Sequence, residues 1–198
     1  LRDGASPSAP IVKVFEVPIT LGGKALYNVS NALAAAAAGH ALLGLNIDEL
    51  RAGLSTFNPS IGQSPGRLNL FEVAGVDYLV DYAHNGPAFV ALNQVGASLS
   101  EKRLQEHRRI GVVSGTGNRM DEDIIRLGET AARIYTDLII KDSDPRDRPL
   151  GETAEIMRTA ALGAGIPEER LRVILNEQEA IEAAFSLAVP GDIVVIQP

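Results

Sequence analysis

The sequence of 198 residues contains no cysteine, no tryptophan and only three histidines. Without cysteine there is no disulfide framework, no thiolate zinc site and no cysteine nucleophile, and three scattered histidines leave little for a metal cluster. No run approaches the roughly 18 apolar residues that a membrane-spanning helix needs. The first ten residues, LRDGASPSAP, lack the charged-then-apolar order of a secretory signal. These absences predict a cytoplasmic protein that holds no metal through its own residues and does not enter a membrane.

Acidic residues outnumber basic ones, 25 to 18, so the formal net charge is −7. This charge argues against nonspecific binding to nucleic acid. Hydrophobic residues make up 45% of the chain and charged residues 22%, close to the average of soluble globular proteins. The length suits one domain, or one domain and part of another.

The first block of the sequence, residues 1–62, contains a strand-like run, IVKVFEVPIT, and an alanine-rich helix that Gly44 ends. Asn46 and Glu49 have the spacing of a capping box for a second helix, Ile47 to Thr56. The following segment, FNPSIGQSPG, is rich in Pro, Gly and polar turn formers. It is the predicted boundary before a second block, residues 63–198.

The second block alternates short Val/Ile-rich strands with helices. A hairpin at Ala74-Gly75 comes first, and each later strand is followed or preceded by a helical segment. This alternation predicts an α/β fold: a Rossmann-like, open and mostly parallel sheet with helices on both faces. Such a sheet binds ligands at the carboxyl ends of its strands. The later predicted strands are IGVVSG, DLIIK, RVIL and DIVVIQ.

The heptapeptide DYAHNGP, residues 81–87, follows the second strand of the hairpin and is densely polar. Asp81 is able to bind a ribose hydroxyl, and His84 could meet a phosphate because imidazole titrates near neutral pH. For Asn85 the simpler interpretation is an N-cap of the helix that begins at Pro87.

The loop SGTGNRMD, residues 114–121, precedes a helix, so its backbone amides could cradle an anion. Asp121 is predicted as a helix cap. Arg119 could offer a guanidinium fork to a phosphate or carboxylate. The alternative for Arg119 is a surface pair with Glu122 or Asp123.

A third loop, DSDPRDRP at residues 142–149, mixes acids and arginines and is followed by Gly151 and Glu152. Opposite charges in one cleft could recognise a zwitterionic substrate or a guanidinium group. A solvated charged loop is the alternative. Arg67, just after the boundary, could swing toward either block or be an ordinary surface residue.

The phosphate-binding pattern GxxxxGK[ST] does not occur in the sequence. Chemistry on ATP therefore needs further chain, since no complete P-loop is present. A dehydrogenase of the Rossmann type is disfavoured because no GxGxxG follows a first strand.

Several segments together resemble the Mur ligase superfamily, and most closely its cyanophycin synthetase branch. They cover most of residues 17–152, and their order and spacing carry the resemblance. The segments are YNVSNALAAAAAGHALLGLNIDELRAGLSTF, GRLNLFEV, LVDYAHN, DEDIIRLGETAARIYTDLIIKD and RDRPLGE.

The resemblance implies two domains: residues 1–62 as the tail of a central ATPase domain, and residues 63–198 as the C-terminal Rossmann-like domain that closes over the nucleotide. The chain would then be a fragment, inactive alone, whose P-loop lies upstream. It also implies two groups of site residues. The nucleotide group is Asn28, Asn31, Arg67, Asp81, His84 and Asn85, with Arg67 and His84 in catalytic roles. The substrate group is Asp144, Arg146, Arg148 and Glu152, to which the loop position adds Arg119.

Two departures from the family pattern stand out. Gly86 is inserted before Pro87, and Thr116 and Asn118 stand where the cyanophycin branch usually has Pro and Asp. The first changes the expected geometry of the loop that holds His84, and the second argues against an acid role in the 114–121 loop.

The implied reaction uses ATP and Mg²⁺ to phosphorylate an aspartate side-chain carboxylate, after which the α-amine of arginine displaces phosphate. The implied partners are arginine, an aspartate-containing polymer and the rest of the same ligase chain; a homo-oligomer is possible and nucleic acid is not expected. Two alternatives stay open: a nucleotide-binding or regulatory module without catalysis, and a Mur-type ligase for another amino acid.

Overall fold

The computed structural model describes residues 9–83, 86–100 and 107–198. By its internal contacts the chain divides into two compact units, Leu1–Pro65 and Gly66–Pro198. Two of the predicted site residues, His84 and Asn85, lie outside the described residues.

The first unit contains two helices, α1 (Leu26–Leu43) and α2 (Ile47–Thr56). Helix α1 ends at Gly44, whose φ of 68° is the left-handed conformation that glycine adopts without steric cost. The side chain of Asn46 accepts hydrogen bonds from the amides of Asp48 and Glu49, and Glu49 accepts one from the Asn46 amide at 2.8 Å. The predicted capping box is confirmed.

The predicted strand IVKVFEVPIT is wrong. Two short 3₁₀ helices, Val14–Glu16 and Pro18–Thr20, replace it. Pro18 has no N–H to donate to a strand ladder, and the hydroxyl of Thr20 lies 2.7 Å from the Val14 carbonyl and 2.8 Å from the Val17 carbonyl. The side-chain hydroxyl therefore holds the backbone in a turn.

The second unit is built on a six-stranded sheet in the order β1-β2-β6-β3-β4-β5. Strands β1 and β2 form an antiparallel hairpin, and the other neighbouring pairs are parallel. The strands are β1 (Asn69–Val73), β2 (Val76–Val80), β3 (Arg109–Ser114), β4 (Asp137–Lys141), β5 (Leu171–Val173) and β6 (Ile193–Ile196), and the helices are α3 (Gly86–Ser100), α4 (Asp121–Ile134), α5 (Glu152–Gly163) and α6 (Glu177–Leu187).

Helices cover both faces of this sheet, which agrees with strands such as β4 whose successive side chains are buried on both faces. Val112 and Val194 form one buried cluster with Ala180 of α6. The neighbouring Gly111 points to the other face, where an added Cβ would overlap the ring of Tyr135 directly after α4. The predicted α/β fold with a mostly parallel sheet is confirmed.

Strands β2 to β6 run in the same direction, so their last residues lie along one border of the sheet, which we call the carboxyl edge. Polar side chains collect there: Ser114, Lys141, Asp142 and Gln197 are all buried. Open parallel sheets bind their ligands at this edge.

Candidate functional site

Arg67 and Asp81 lie beside one another at the carboxyl end of β2. Asp81 accepts a hydrogen bond from the Leu68 amide at 2.8 Å, and the Arg67 guanidinium carbon lies 5.5 Å from the centre of the Tyr82 ring. Burial raises the pKa of the Asp81 carboxyl, against the opposing effects of the Leu68 hydrogen bond and the Arg67 charge. The pair offers a hydrogen-bond acceptor and a cation to one ligand.

The turn that carries Arg67 is held rigidly. Leu68 is buried and has a φ of 51°, a left-handed conformation that costs energy for a residue with a Cβ. The Asp81 carboxylate holds the Leu68 amide in this conformation, and the Asn69 side chain accepts from the Gly66 amide at 2.7 Å. The backbone that carries the exposed Arg67 is therefore held in one conformation.

Asn28 and Asn31 belong to the first unit, on helix α1. Asn28 is buried and donates to the Ile19 carbonyl at 2.9 Å, and its side-chain oxygen accepts from Asn31 at 2.9 Å. Asn31 is therefore oriented by Asn28 and is itself exposed. Their predicted roles at the adenine stay predictions.

Two loops meet at the carboxyl edge: loop A, residues 115–120 after β3, and loop B, residues 142–151 after β4. The Gly117 amide donates to the Asp144 carbonyl at 3.0 Å. A Cβ on Gly117 would collide with the Pro145 carbonyl, so the backbones approach more closely than any other residue allows.

Two backbone amides of loop A already have protein partners. The Gly117 amide is used by loop B, and the Arg119 amide donates to the Thr116 carbonyl at 3.0 Å. The first turn of α4 also carries three carboxylates, Asp121, Glu122 and Asp123. Negative side chains at this position disfavour an anion at the backbone amides of the helix start, and the predicted backbone cradle stays a prediction.

Asp121 is not the helix cap that the sequence predicts. Met120 occupies the N-cap position of α4, and Asp121 is the first helical residue. Its carboxylate instead accepts from Arg148 of loop B at 2.7 Å. Arg119 retains a buried Nε without a hydrogen-bond partner, and no ion pair joins it to Glu122 or Asp123 in the described part of the chain.

The predicted substrate residues of loop B are already engaged with one another. Asp144 and Arg146 form an ion pair at 2.9 Å, with both side chains well exposed. Arg148 binds Glu152 at 2.8 Å as well as Asp121. The structure thus brings Arg119, Arg148 and Glu152 together, and it leaves Asp144 and Arg146 at the surface of the loop.

Sequence reasoning missed a buried lysine at the end of β4. Lys141 has no solvent-exposed side-chain surface; its ammonium donates to Ser143 at 2.7 Å and lies 3.5 Å from the Glu177 carboxylate. Burial lowers its pKa, while Glu177 and Asp142 raise it. The available signal was a lysine that directly follows the apolar run LII at the carboxyl end of the strand DLIIK.

Lys141→Met is expected to change how stability depends on pH. Because the pKa of Lys141 in the folded chain lies below its ordinary value of 10.5, the unfolded chain binds more protons between the two values, and stability rises with pH there. The unfolding free energy of the wild type should therefore increase relative to that of the variant as the pH approaches 10. Urea titrations from pH 7 to 10 measure this, with exposed Lys13→Met as control. A constant difference between wild type and Lys141→Met would contradict the expectation.

Two features are absent from residues 9–83, 86–100 and 107–198. No helix there is long and apolar enough to cross a bilayer. No group of three or more acidic or histidine side chains is placed to hold a metal ion.

The sequence pattern of the family described as "Mur ligase, glutamate ligase domain" matches residues 66–198, which is the whole second unit. The chain belongs to the Mur ligase family. The predicted resemblance is thereby confirmed. This Mur ligase chain is 40% identical over 189 residues to the cyanophycin synthetase of Nostoc sp. (strain PCC 7120 / SAG 25.82 / UTEX 2576), covering 95% of the chain and 20% of that protein. It is 31% identical over 185 residues to the UDP-N-acetylmuramyl-tripeptide synthetase of Deinococcus radiodurans, covering 92% and 35%.

Solved structures agree with the Mur ligase fold. The folylpolyglutamate synthase of Mycobacterium tuberculosis complexed with ADP matches with a TM-score of 0.57 and 24% identity, over 80% of this chain and 34% of that one. FolC of E. coli in complex with ADP matches with a TM-score of 0.60 and 21% identity, over 84% and 35%. The chain spans about a fifth of the length of the cyanophycin synthetases it matches.

Proposed function

We propose that the chain is the C-terminal part of an ATP-dependent amide ligase of the cyanophycin synthetase type. The observation that carries the proposal is the 40% identity to a cyanophycin synthetase over 95% of the chain. Residues 1–62 are the tail of the central ATPase domain, and residues 63–198 are the C-terminal domain. The rest of the ligase, including its P-loop, is the partner that completes the active site.

The reaction transfers the γ-phosphoryl group of ATP to an aspartate side-chain carboxylate and releases ADP. The α-amine of arginine then attacks the activated carbonyl carbon, phosphate leaves, the nitrogen loses a proton and an amide bond forms. A bound Mg²⁺ would supply positive charge to the phosphate oxygens.

The proposed roles at the nucleotide rest on the charge and hydrogen-bonding capacity of each side chain. Asp81 binds the ribose. Among the described contacts of the second unit, its carboxylate accepts a hydrogen bond from one backbone amide, that of Leu68. Arg67, exposed on its rigid turn, binds the phosphates, since a guanidinium suits their oxygens. His84 and Asn85 line the phosphate side, and Asn31, held by Asn28, binds the adenine.

The substrate roles fall on loops A and B. The unpartnered Nε of Arg119 suits a carboxylate of the polymer or of the amino acid. Asp144 and Glu152 supply negative charge for the arginine guanidinium. Arg146 shares this surface through its ion pair with Asp144.

The test is phosphate release by the complete ligase with ATP, an aspartate-rich peptide and arginine. Release that requires both peptide and arginine is expected, and lysine or ornithine should replace arginine poorly. The 198-residue chain alone should release none. ADP binding by the complete protein without phosphate release for any amine would instead indicate a nucleotide-binding module.

A further inference from the structure

The guanidinium of Arg148 makes four hydrogen bonds, all to protein groups of loop A and of the helices that follow loops A and B. Its Nε donates to the Gly117 carbonyl at 2.9 Å, and Nη2 donates to the Arg119 carbonyl at 2.7 Å. Its Nη1 donates to Asp121 at 2.7 Å and to Glu152 at 2.8 Å. Both carboxylates raise the pKa of Arg148, so it remains charged. One of the five N–H groups of the guanidinium is left outside these contacts for a substrate.

These contacts connect segments that are about 30 positions apart in sequence. Arg148 belongs to loop B, while both carbonyls belong to loop A. The direct hydrogen bond from the Gly117 amide to the Asp144 carbonyl joins the same two loops. Arg148 therefore adds a second connection between loops A and B. It stands beside the close backbone contact that only glycine at position 117 permits.

The residue most affected by these contacts of Arg148 is Arg119. Its amide donates to Thr116 and its carbonyl accepts from Arg148, so its backbone is fixed on both sides. Its side-chain Nε is buried without a hydrogen-bond partner. A buried donor of this kind is costly to leave unsatisfied, which makes an anionic ligand the natural partner.

We propose that Arg148 is a positioning residue: it locks loop A to loop B and so fixes Arg119 for the anionic group of a substrate. This inference rests on the proposed ligase function. It assigns Arg148 a different part from the direct substrate contact that family resemblance implies. Lysine cannot take over the role, because a single ammonium lacks the planar fork that reaches two carbonyls and two carboxylates together.

The kinetic test uses Arg148→Lys, Arg119→Ala and the double variant in the complete ligase. We expect Arg148→Lys to raise KM for the substrate that Arg119 binds by about tenfold, equal to about 1.4 kcal/mol, with kcat nearly unchanged. In the Arg119→Ala background the same change should add less than about twofold, because residues that act through one another are not additive. Equal effects in both backgrounds would overturn the proposal, as would a fall in kcat at unchanged KM.

A matched control is Arg158→Lys. Arg158 also bridges two carboxylates, Glu155 at 3.1 Å and Glu168 at 3.0 Å, but it contacts neither loop A nor loop B in the described contacts. It should leave every kinetic constant unchanged.

Hydrogen exchange on the 198-residue chain separates this proposal from the ligase function. The amides of Gly117 and Arg119 should exchange faster in Arg148→Lys than in wild type or Arg158→Lys. Faster exchange supports the loop lock even if no amine-dependent activity is found, a result that would count against the ligase function alone. Unchanged exchange at both amides would overturn the lock regardless of the kinetics.

Discussion

Arg67→Ala is expected to lower kcat/KM for ATP-dependent phosphate release by about 10²–10³-fold in the complete ligase, the cost typical of losing one preorganised charge donor at a reacting centre. The reason is the rigid turn that presents it. Leu68 is held in a left-handed conformation by burial and by Asp81, so the backbone that carries Arg67 needs little reorganisation before the guanidinium meets a phosphate.

Arg67→Lys should recover part of the lost rate, because it restores the charge without the two-pronged geometry. The control is Arg133→Ala. Arg133 lies in the last turn of α4, is 68% exposed and pairs only loosely with Glu129 at 3.6 Å. Since α4 runs from the carboxyl edge back to the opposite border of the sheet, this variant should behave as wild type. A loss of less than about threefold in Arg67→Ala would remove Arg67 from the catalytic machinery.

Asp142→Ala is expected to have the largest effect on stability, a loss of about 3–5 kcal/mol, because it removes one partner from a buried, charged network. Asp142 is 2% exposed. One carboxylate oxygen accepts from the Gly151 amide at 2.6 Å and the other from the Thr153 hydroxyl at 2.9 Å. The carboxylate thus caps α5 from outside the helix, where negative charge also suits the helix dipole.

Urea titration at pH 7 measures this loss as a shift of the midpoint at constant slope. Asp144→Ala is the matched control, two residues along the same loop. Its ion pair with Arg146 is exposed, so a cost below about 1 kcal/mol is expected. If the two alanine variants proved equally stable, the capping role of Asp142 would have to be abandoned.

The architecture of the second unit could be predicted because its strands are buried on both faces. Such strands appear in sequence as unbroken Val/Ile runs, and the helices between them impose parallel pairing. A local signal with a fixed spacing also sufficed for a helix start: Asn46 caps α2, as predicted. The 11–20 segment shows the limit, since apolar content predicted a strand there while Pro18 and Thr20 favoured turns.

The contacts of the candidate site could not be predicted in the same way. A charged loop gives no local signal of whether its side chains face a ligand or one another. Arg148 and its partner Gly117 are separated by a strand and a helix, and their meeting depends on how the two loops pack. The same holds for Lys141, whose burial follows from the arrival of α6 over the end of β4.

The position of β6 constrains the order in which this protein acquires its structure. The last strand in the sequence lies between β2 and β3, pairing with both. Until residues 193–196 have been synthesised, the hairpin and the β3-β4-β5 layer have no backbone connection through the sheet. Contacts between such distant segments are slow to form, so we expect the hairpin to join the β3-β4-β5 layer late in folding, when β6 pairs with both.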